Sequence, residues 1–281
     1  MSRTVRLPAE SLSRVPEISA CFWVVKILTT AMGEATSDYL VYHINPYVAV
    51  MSGAAAFVVA LVLQLATGRY VVWTYWLLVA MVAVFGTMVA DVVHIVLGVP
   101  YMLSTIGFAA ALAIIFAAWR QVEGTLSIHS IYTFRRELFY WATVIATFAL
   151  GTAAGDMTAT TLQLGYLVSG FLFIVLFGLP GLLHRRFGLS EITAFWSAYV
   201  MTRPLGASFA DWFGRSPDLG GIGYGTGQVS IVLAAIIVAF IIYLTVTRRD
   251  TQEHAPVPYY RAATKPIAAV SRLRRNGTDP I

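Results

Sequence analysis

Charged residues and cysteine are both scarce in this chain. Only 12% of its 281 residues are Asp, Glu, Lys or Arg, whereas a soluble domain usually carries about 25%. Its single cysteine, Cys21, excludes an intramolecular disulfide. The first 17 residues are polar and basic and lack the layout of a signal peptide. Because 58% of the residues are hydrophobic, we expect an integral membrane protein.

The apolar runs reach the length that crosses a bilayer, about 20 residues. Hydropathy and loop residues predict eight transmembrane helices, at residues 18–43, 46–67, 71–98, 101–122, 137–162, 165–184, 190–214 and 224–247. Lys and Arg concentrate before the first span and after every even span, and Arg215 is the one exception. The positive-inside rule therefore predicts that both termini are cytoplasmic. We expect multi-pass insertion in the cell inner (plasma) membrane.

One motif recurs in all four odd-numbered spans. An aromatic residue and a Trp are followed by a Gly ten residues after the Trp, and by an Asp five residues after the Gly. The Gly and Asp positions are Gly33 and Asp38, Gly86 and Asp91, Gly151 and Asp156, and Gly206 and Asp211. The even spans share a weaker Pro-Tyr and Gly pattern. The repeated unit is therefore two spans long.

Units with an even number of spans all face the same way across the membrane. We predict an all-α fold of four parallel repeats, related by a pseudo-fourfold axis along the membrane normal. The predicted repeats cover residues 18–70, 71–134, 135–187 and 188–249. A cytoplasmic segment, residues 1–17, precedes them, and a basic cytoplasmic tail, residues 250–281, follows them.

This fourfold unit resembles a bacterial membrane-protein family, the domain of unknown function 347. The resemblance is carried by the repeated aromatic-Trp, Gly and Asp positions, with Gly-Glu-Ala-Thr-Ser-Asp in the first copy, and it covers roughly residues 17–248. It implies the same repeated membrane fold and brings no activity with it. Function has to be argued from the residues.

The Trp and Gly positions suggest structural roles. A Trp near the cytoplasmic end of a span is typical of an anchor at the lipid headgroups. The repeated glycines, Gly33, Gly86, Gly151 and Gly206, are predicted to let the odd helices pack closely.

The four aspartates suggest a functional role. Each lies fifteen residues after its Trp, about 22 Å along a helix, so all four should lie at one level in the outer half of the bilayer. A charge at depth costs about 2.5–3.5 kcal/mol on insertion scales. We interpret Asp38, Asp91, Asp156 and Asp211 as a ring of carboxylates that could hold a metal cation. The alternative is that each aspartate caps a backbone group or ends a helix.

The repeats also differ at polar positions. Lys26 and Glu34 occur only in the first repeat, Arg203 only in the fourth, and Thr30 is the first-repeat equivalent of Arg203. Two cations against five carboxylates favour a cation or proton substrate, because unpaired buried charge is costly. His94, three residues after Asp91, could relay protons or bind metal, or could be only a hydrogen-bonding partner.

The leading hypothesis is a proton-coupled cation transporter whose partners are the lipid bilayer, a cation and protons. Oxygen ligands favour a hard divalent cation such as manganese. No organic cofactor motif and no nucleic-acid partner are indicated. The alternatives are a membrane sensor or scaffold, and an intramembrane enzyme that uses an Asp pair. The motifs of serine hydrolases, zinc proteases and nucleotide-binding loops are absent from the sequence.

Overall fold

A computed structural model describes residues 13–251. These residues form eight long α-helices and no β-strand. The helices are α1 Ala20–His43, α2 Pro46–Thr67, α3 Val72–Asp91, α4 Tyr101–Glu123, α5 Phe134–Asp156, α6 Gly165–Phe187, α7 Glu191–Gly214 and α8 Thr226–Thr247. The all-helical prediction is confirmed for this part of the chain. Most of the predicted terminal segments, residues 1–12 and 252–281, lies outside the described residues.

Local sequence explains several helix ends. Ser19 and Ser190 accept hydrogen bonds from backbone N–H groups in the first turns of α1 and α7, as N-caps do. Helices α2, α4 and α6 each end before a glycine with positive φ, a conformation that favours glycine. These glycines are Gly68, Gly124 and Gly188, with φ of 63°, 74° and 71°.

A π-helical turn follows the aspartate in the second and third repeats. The turns are Val92–Val96 after Asp91 and Met157–Thr161 after Asp156. Backbone bonds between residues five apart close them, at 3.0 and 2.9 Å. Such turns are frequent at functional sites. Repeats one and four have no such turn in the described chain, so the backbone beside the aspartate differs between the two pairs of repeats.

The four odd-numbered helices form the centre of the molecule. Helix α1 packs on α3, α3 on α5, α5 on α7 and α7 on α1, which closes a ring. Each even helix lies outside and packs on the next odd helix: α2 on α3, α4 on α5, α6 on α7 and α8 on α1. The most apolar stretches of α3 and α5 are 61% and 67% buried, against 11–28% for those of the even helices. The even helices therefore expose most of their apolar surface.

That exposed surface is suited to lipid. Among the described helices, α2 to α6 and α8 are long and apolar enough to cross a membrane. Helices α1 and α7 are as long, but they carry ionisable residues that are buried inside the ring. The chain is therefore a multi-pass membrane protein.

The repeated aromatic pairs meet in one layer, at the end of the ring that we call the Trp end. In every repeat, the first aromatic residue of the pair contacts the Trp of the next repeat. The ring centroids lie 5.8 Å apart for Phe22–Trp76, 5.4 Å for Tyr75–Trp141, 6.2 Å for Tyr140–Trp196 and 5.6 Å for Phe195–Trp23. The fourth contact returns to the first repeat and closes the circle.

The prediction that these Trp side chains anchor the helices at the headgroups is wrong for three of them. Trp76, Trp141 and Trp196 are only 1%, 2% and 5% exposed, and Trp23 alone is partly exposed. The large rings fill the space between the odd helices, where aromatic burial stabilises packing.

The repeated glycines form a second circle of contacts. A Cβ on Gly33 would meet Ala83, one on Gly86 would meet Phe148, one on Gly151 would meet Arg203, and one on Gly206 would meet Thr30. Each of these partners lies three residues before the glycine of its own repeat, so the same contact is made four times around the ring. The missing side chain at each glycine lets the neighbouring odd helix approach.

An extended segment before α1 covers the Trp end. The backbone of Ser13 and Arg14 bonds to Tyr70 and Ile131 in the loops before α3 and α5, at 2.8 and 3.0 Å. The Arg14 guanidinium also pairs with the buried carboxylate of Glu137 at 2.6 Å. This segment and the aromatic layer beneath it close the Trp end.

Candidate functional site

Arg203 lies at the centre of the ring of odd helices. Its side chain is 1% exposed. One terminal nitrogen donates hydrogen bonds to the Glu34 carboxylate and to the hydroxyls of Thr87 and Thr152, the last at 2.9 Å. The other terminal nitrogen donates to the Thr30 carbonyl at 3.2 Å. One guanidinium from α7 thus binds groups on α1, α3 and α5.

The three side chains that Arg203 binds occupy a single position of the repeat. Glu34, Thr87 and Thr152 each follow the repeated glycine directly, and the fourth repeat has Ala207 there. Alanine leaves room at this level, and Arg203 lies one helical turn before it. The planar fork of arginine can serve several acceptors at once, which a lysine ammonium does less well.

A cluster of carboxylates lies beyond Arg203, toward the end of the ring of odd helices that is opposite the Trp end. We call this end the Asp end. Carboxylate oxygens of Glu34, Asp156 and Asp211 lie within 4.8 Å of one another. They come from α1, α5 and α7. Glu34 and Asp211 are 2% and 3% exposed, while Asp156 is partly exposed. Carboxylate oxygens converging from three helices are the ligand type that Ca²⁺, Mg²⁺ and Mn²⁺ prefer.

Arg215, directly after α7, binds two of the repeated aspartates. Its Nη2 lies 2.9 Å from Asp38, and its Nε donates to Asp211 at 2.8 Å. Burial lowers the pKa of Arg215, but the carboxylates of Asp211 and Asp38 raise that pKa by more. The net shift is upward, so the guanidinium stays charged.

The other two aspartates have no such partner. In residues 13–251, no hydrogen bond or ion pair reaches the carboxylate of Asp91 or Asp156. These are the two residues that precede the π-helical turns. The four aspartates therefore fall into two pairs. Arg215 bridges the aspartates of repeats one and four, whereas the aspartates of repeats two and three have no cationic partner in the described chain.

Ser37 is a further polar residue of the interior, and its buried side chain lacks a hydrogen-bond partner in the described chain. Ser37 follows Glu34 by three residues on the same face of α1, and it precedes Asp38. A buried hydroxyl usually has a partner, so this group marks a place for a further ligand or water.

A cleft gives access to the Asp end. Its volume is about 400 Å³, and its lining includes Asp38, Tyr39, His43, Arg215 and Gln228. We call it the Asp-end cleft. The Arg215 side chain is 19% exposed, against 8% for Asp38 and 4% for Asp211. Asp38 and Arg215 both line the cleft, and Arg215 is the more exposed of the two.

Lys26 is buried apart from the carboxylates. Its ammonium lies 4.0 Å from the centre of the Phe148 ring and 4.2 Å from that of Tyr199, and no hydrogen-bond acceptor reaches it within residues 13–251. It precedes Glu34 by eight residues, or about 12 Å of helix rise. Lys26 therefore does not share the salt bridge that Glu34 makes with Arg203.

We expect Lys26→Met to raise stability, by a gain on the order of 1 kcal/mol, because a buried amine without an acceptor is costly. Methionine fills a similar volume and keeps the contact with Phe148 and Tyr199. Thermal unfolding in detergent measures the effect, with Lys26→Ala as a control that also removes packing. A less stable Met variant would mean that the two cation–π contacts outweigh the cost of burying the amine.

Two further predicted site residues have local partners. His94 bonds to the Val99 carbonyl at 3.1 Å and lies 3.3 Å from the Ser104 hydroxyl; no hydrogen bond or ion pair in the described chain joins it to a carboxylate. The Thr30 hydroxyl donates to the Thr202 carbonyl at 3.0 Å. Thr30 is thus beside Arg203, whereas His94 is held by the loop that leads into α4 and by α4 itself.

Sequence reasoning missed three residues of this site, Thr87, Thr152 and Arg215. The threonines had a signal, since they stand at the position of Glu34 in their own repeats. Arg215 had two signals: it follows Asp211 by one helical turn, and it was the exception in the distribution of basic residues.

A known repeat family follows the same periodicity. The family described as Repeat of Unknown Function (DUF347) matches residues 21–70, 74–125, 139–188 and 194–250, most of the chain. The chain belongs to DUF347. Each DUF347 copy covers most of one odd helix and the even helix that follows it, which confirms the resemblance predicted from the motif.

DUF347 is defined as a repeat of unknown function, so membership assigns no activity. Neither the curated proteins nor the solved structures contain a match to the chain. The function of this DUF347 protein therefore has to be argued from its side chains.

Proposed function

We propose that this protein is a membrane transporter that binds a hard cation in the carboxylate cluster and exchanges it for protons. The observation that carries the proposal is the convergence of Glu34, Asp156 and Asp211, whose oxygens lie within 4.8 Å of one another. They come from three repeats of a membrane protein, at a level where uncompensated charge is expensive. A bound ligand best explains why three carboxylates are placed together inside the membrane-spanning part of the protein.

Charge supports a cation over an anion. Five carboxylates, Glu34 and the four repeated aspartates, stand against the guanidinium groups of Arg203 and Arg215. The surplus carboxylates need a bound cation or protons, because an unpaired buried charge is not retained. Alternate occupancy by a cation and by protons gives exchange.

The ligand atoms support a hard cation. Carboxylate and hydroxyl oxygens suit magnesium, manganese or calcium, whereas soft metals prefer sulfur. Cys21 lies near the Trp end, and the imidazole of His94 is engaged by Val99 and Ser104. A hard divalent cation such as manganese is the substrate class that we propose.

The centre of the ring supports a carrier over an open channel. Arg203 binds groups from all three other odd helices at one level, so a cation that moves along the axis meets a fixed positive charge. The aromatic layer and the segment with Arg14 close the Trp end beyond it. Transport then requires a second conformation in which these contacts rearrange.

We further propose that all eight helices cross the membrane with pseudo-fourfold symmetry. The two circles of contacts support this arrangement, because each joins equivalent positions of consecutive repeats and returns to the first. The distribution of Lys and Arg supports a cytoplasmic Trp end and termini, in the inner (plasma) membrane. The Asp-end cleft then opens to the outside.

Purified protein in proteoliposomes tests the transport function. We expect Mn²⁺ flux driven by a pH gradient, and at least a tenfold loss of flux in Asp156→Asn. Asp218→Asn is the matched control, since Asp218 is an exposed acid in the loop after Arg215. Undiminished flux in all three variants Asp91→Asn, Asp156→Asn and Asp211→Asn would contradict the proposal. Binding without flux would favour a sensor.

A further inference from the structure

Arg215 is a special feature of the fourth repeat. It follows Asp211 by four residues, and the equivalent residues of the other repeats are Tyr42, Ile95 and Thr160. A positive charge on the loop after an odd helix also departs from the distribution of basic residues in the rest of the chain. Some local interaction has to account for it.

That interaction is the bridge between the first and last repeats. The guanidinium lies 2.9 Å from Asp38 of α1 and bonds to Asp211 of α7 at 2.8 Å. It also lies 5.5 Å from the ring centre of Tyr166. Its two carboxylate partners are the repeat equivalents of Asp91 and Asp156, with which no cation pairs in the described chain. Arg215 thus pairs with Asp211, which is also a member of the carboxylate cluster.

We propose that Arg215 is a tethered cation that competes with the transported cation for Asp211, the carboxylate shared by the Arg215 bridge and the carboxylate cluster, and that it moves aside when that cation binds. This inference rests on the proposed cation site and names the residue that sets its affinity. A fixed salt bridge of purely structural purpose is the alternative, and the two make different predictions.

The position of Arg215 permits such a movement. Its side chain forms part of the wall of the Asp-end cleft, whose volume of about 400 Å³ can receive the guanidinium. Arg215 has the highest exposure of the three charged groups in the bridge, so its guanidinium is the group closest to solvent. The carboxylates are carried by helices α1 and α7, whereas Arg215 lies just beyond the end of α7. A cation in the cleft meets the Arg215 guanidinium together with the Asp38 carboxylate, because both residues line it.

Cation titrations on the purified full-length protein test the inference. Thermal unfolding at increasing Mg²⁺ or Mn²⁺ gives an apparent Kd, because a ligand that binds only the folded state stabilises it. We expect Arg215→Gln to lower this Kd at least tenfold, since the competing charge is gone and its partners are free. Arg215→Lys should stay closer to the wild type. Arg135→Gln, which removes an ion pair with Glu123 whose arginine is 66% exposed, is the control.

The outcomes separate this inference from the proposed function. A wild-type protein that binds cations, with an Arg215→Gln variant of equal or weaker affinity, would overturn the competition and leave the cation site standing. A wild-type protein that binds no cation would overturn both. A tighter variant supports both.

A second measurement covers the case in which Arg215→Gln does not fold. Gln228→Cys introduces a thiol into the Asp-end cleft, in a Cys21→Ser background that has no other cysteine. We expect Mg²⁺ to slow thiol labelling several-fold, because the displaced guanidinium enters the cleft. A labelling rate that is independent of Mg²⁺, at concentrations that stabilise the protein, would refute the displacement.

Discussion

Replacing Arg203 by methionine is expected to lower the free energy of unfolding by about 3–5 kcal/mol, the usual cost of removing one partner of a buried ion pair. Methionine leaves the Glu34 carboxylate buried without a cation. It also removes the hydrogen bonds that Arg203 donates to the hydroxyls of Thr87 and Thr152. The pair is 1% and 3% exposed, so water cannot compensate for the lost contact. Unfolding in detergent measures the change.

A second substitution shows whether the buried charge is responsible. The double variant Arg203→Met with Glu34→Gln should recover at least half of the lost stability, because no uncompensated charge remains. Arg135→Met is the matched control: it removes an ion pair whose arginine is 66% exposed and should cost less than about 1 kcal/mol. A double variant as unstable as Arg203→Met alone would mean that packing, not charge, holds this layer together.

Gly206→Ala is expected to destabilise the protein by about 1–3 kcal/mol, the usual cost of overpacking a filled core. The added methyl group would lie 2.8 Å from the backbone nitrogen of Ala31 and would also meet the Thr30 side chain. Backbone on a packed helix cannot move aside as the end of a flexible side chain can. The expected result is a lower unfolding midpoint in detergent.

Glycines on the outer helices are the matched controls for this prediction. Gly107 of α4 and Gly178 of α6 have open space where a Cβ would be built. Alanine there should be neutral or should stabilise by up to about 1 kcal/mol, because glycine is the weaker helix former. An equal loss at Gly107 and Gly206 would contradict the closed ring of glycine contacts.

Much of the fold can be predicted from the sequence because the features that set the helix bounds are local. Apolar length fixes where a membrane helix begins and ends, and each of the eight long α-helices in residues 13–251 lies within a predicted span or exceeds it by at most three residues. Proline and glycine near the ends of the outer helices, such as Pro46 and Gly68, act through local backbone geometry, so they are visible in the chain itself.

The Trp residues show where this reasoning failed. Aromatic residues near helix ends favour the headgroup region, but they also fill space between large helices. Sequence position does not distinguish the two, because the choice depends on whether a neighbouring helix covers the ring. For Trp76 and Trp141 the neighbouring odd helices cover it.

The sequence by itself determined that the chain is helical and membrane-embedded, that its unit occurs four times, and that each unit carries a Gly and an Asp at fixed spacing. These properties follow from hydropathy and periodicity, which are local. The tertiary structure alone decided which charges meet. Arg203 reaches Glu34 across 169 positions of the chain, and Arg215 reaches Asp38 across an even longer interval, while Lys26 pairs with neither carboxylate. The packing of the odd helices decides which of these distant residues pair, because α7 lies against α1 only when all four repeats have packed.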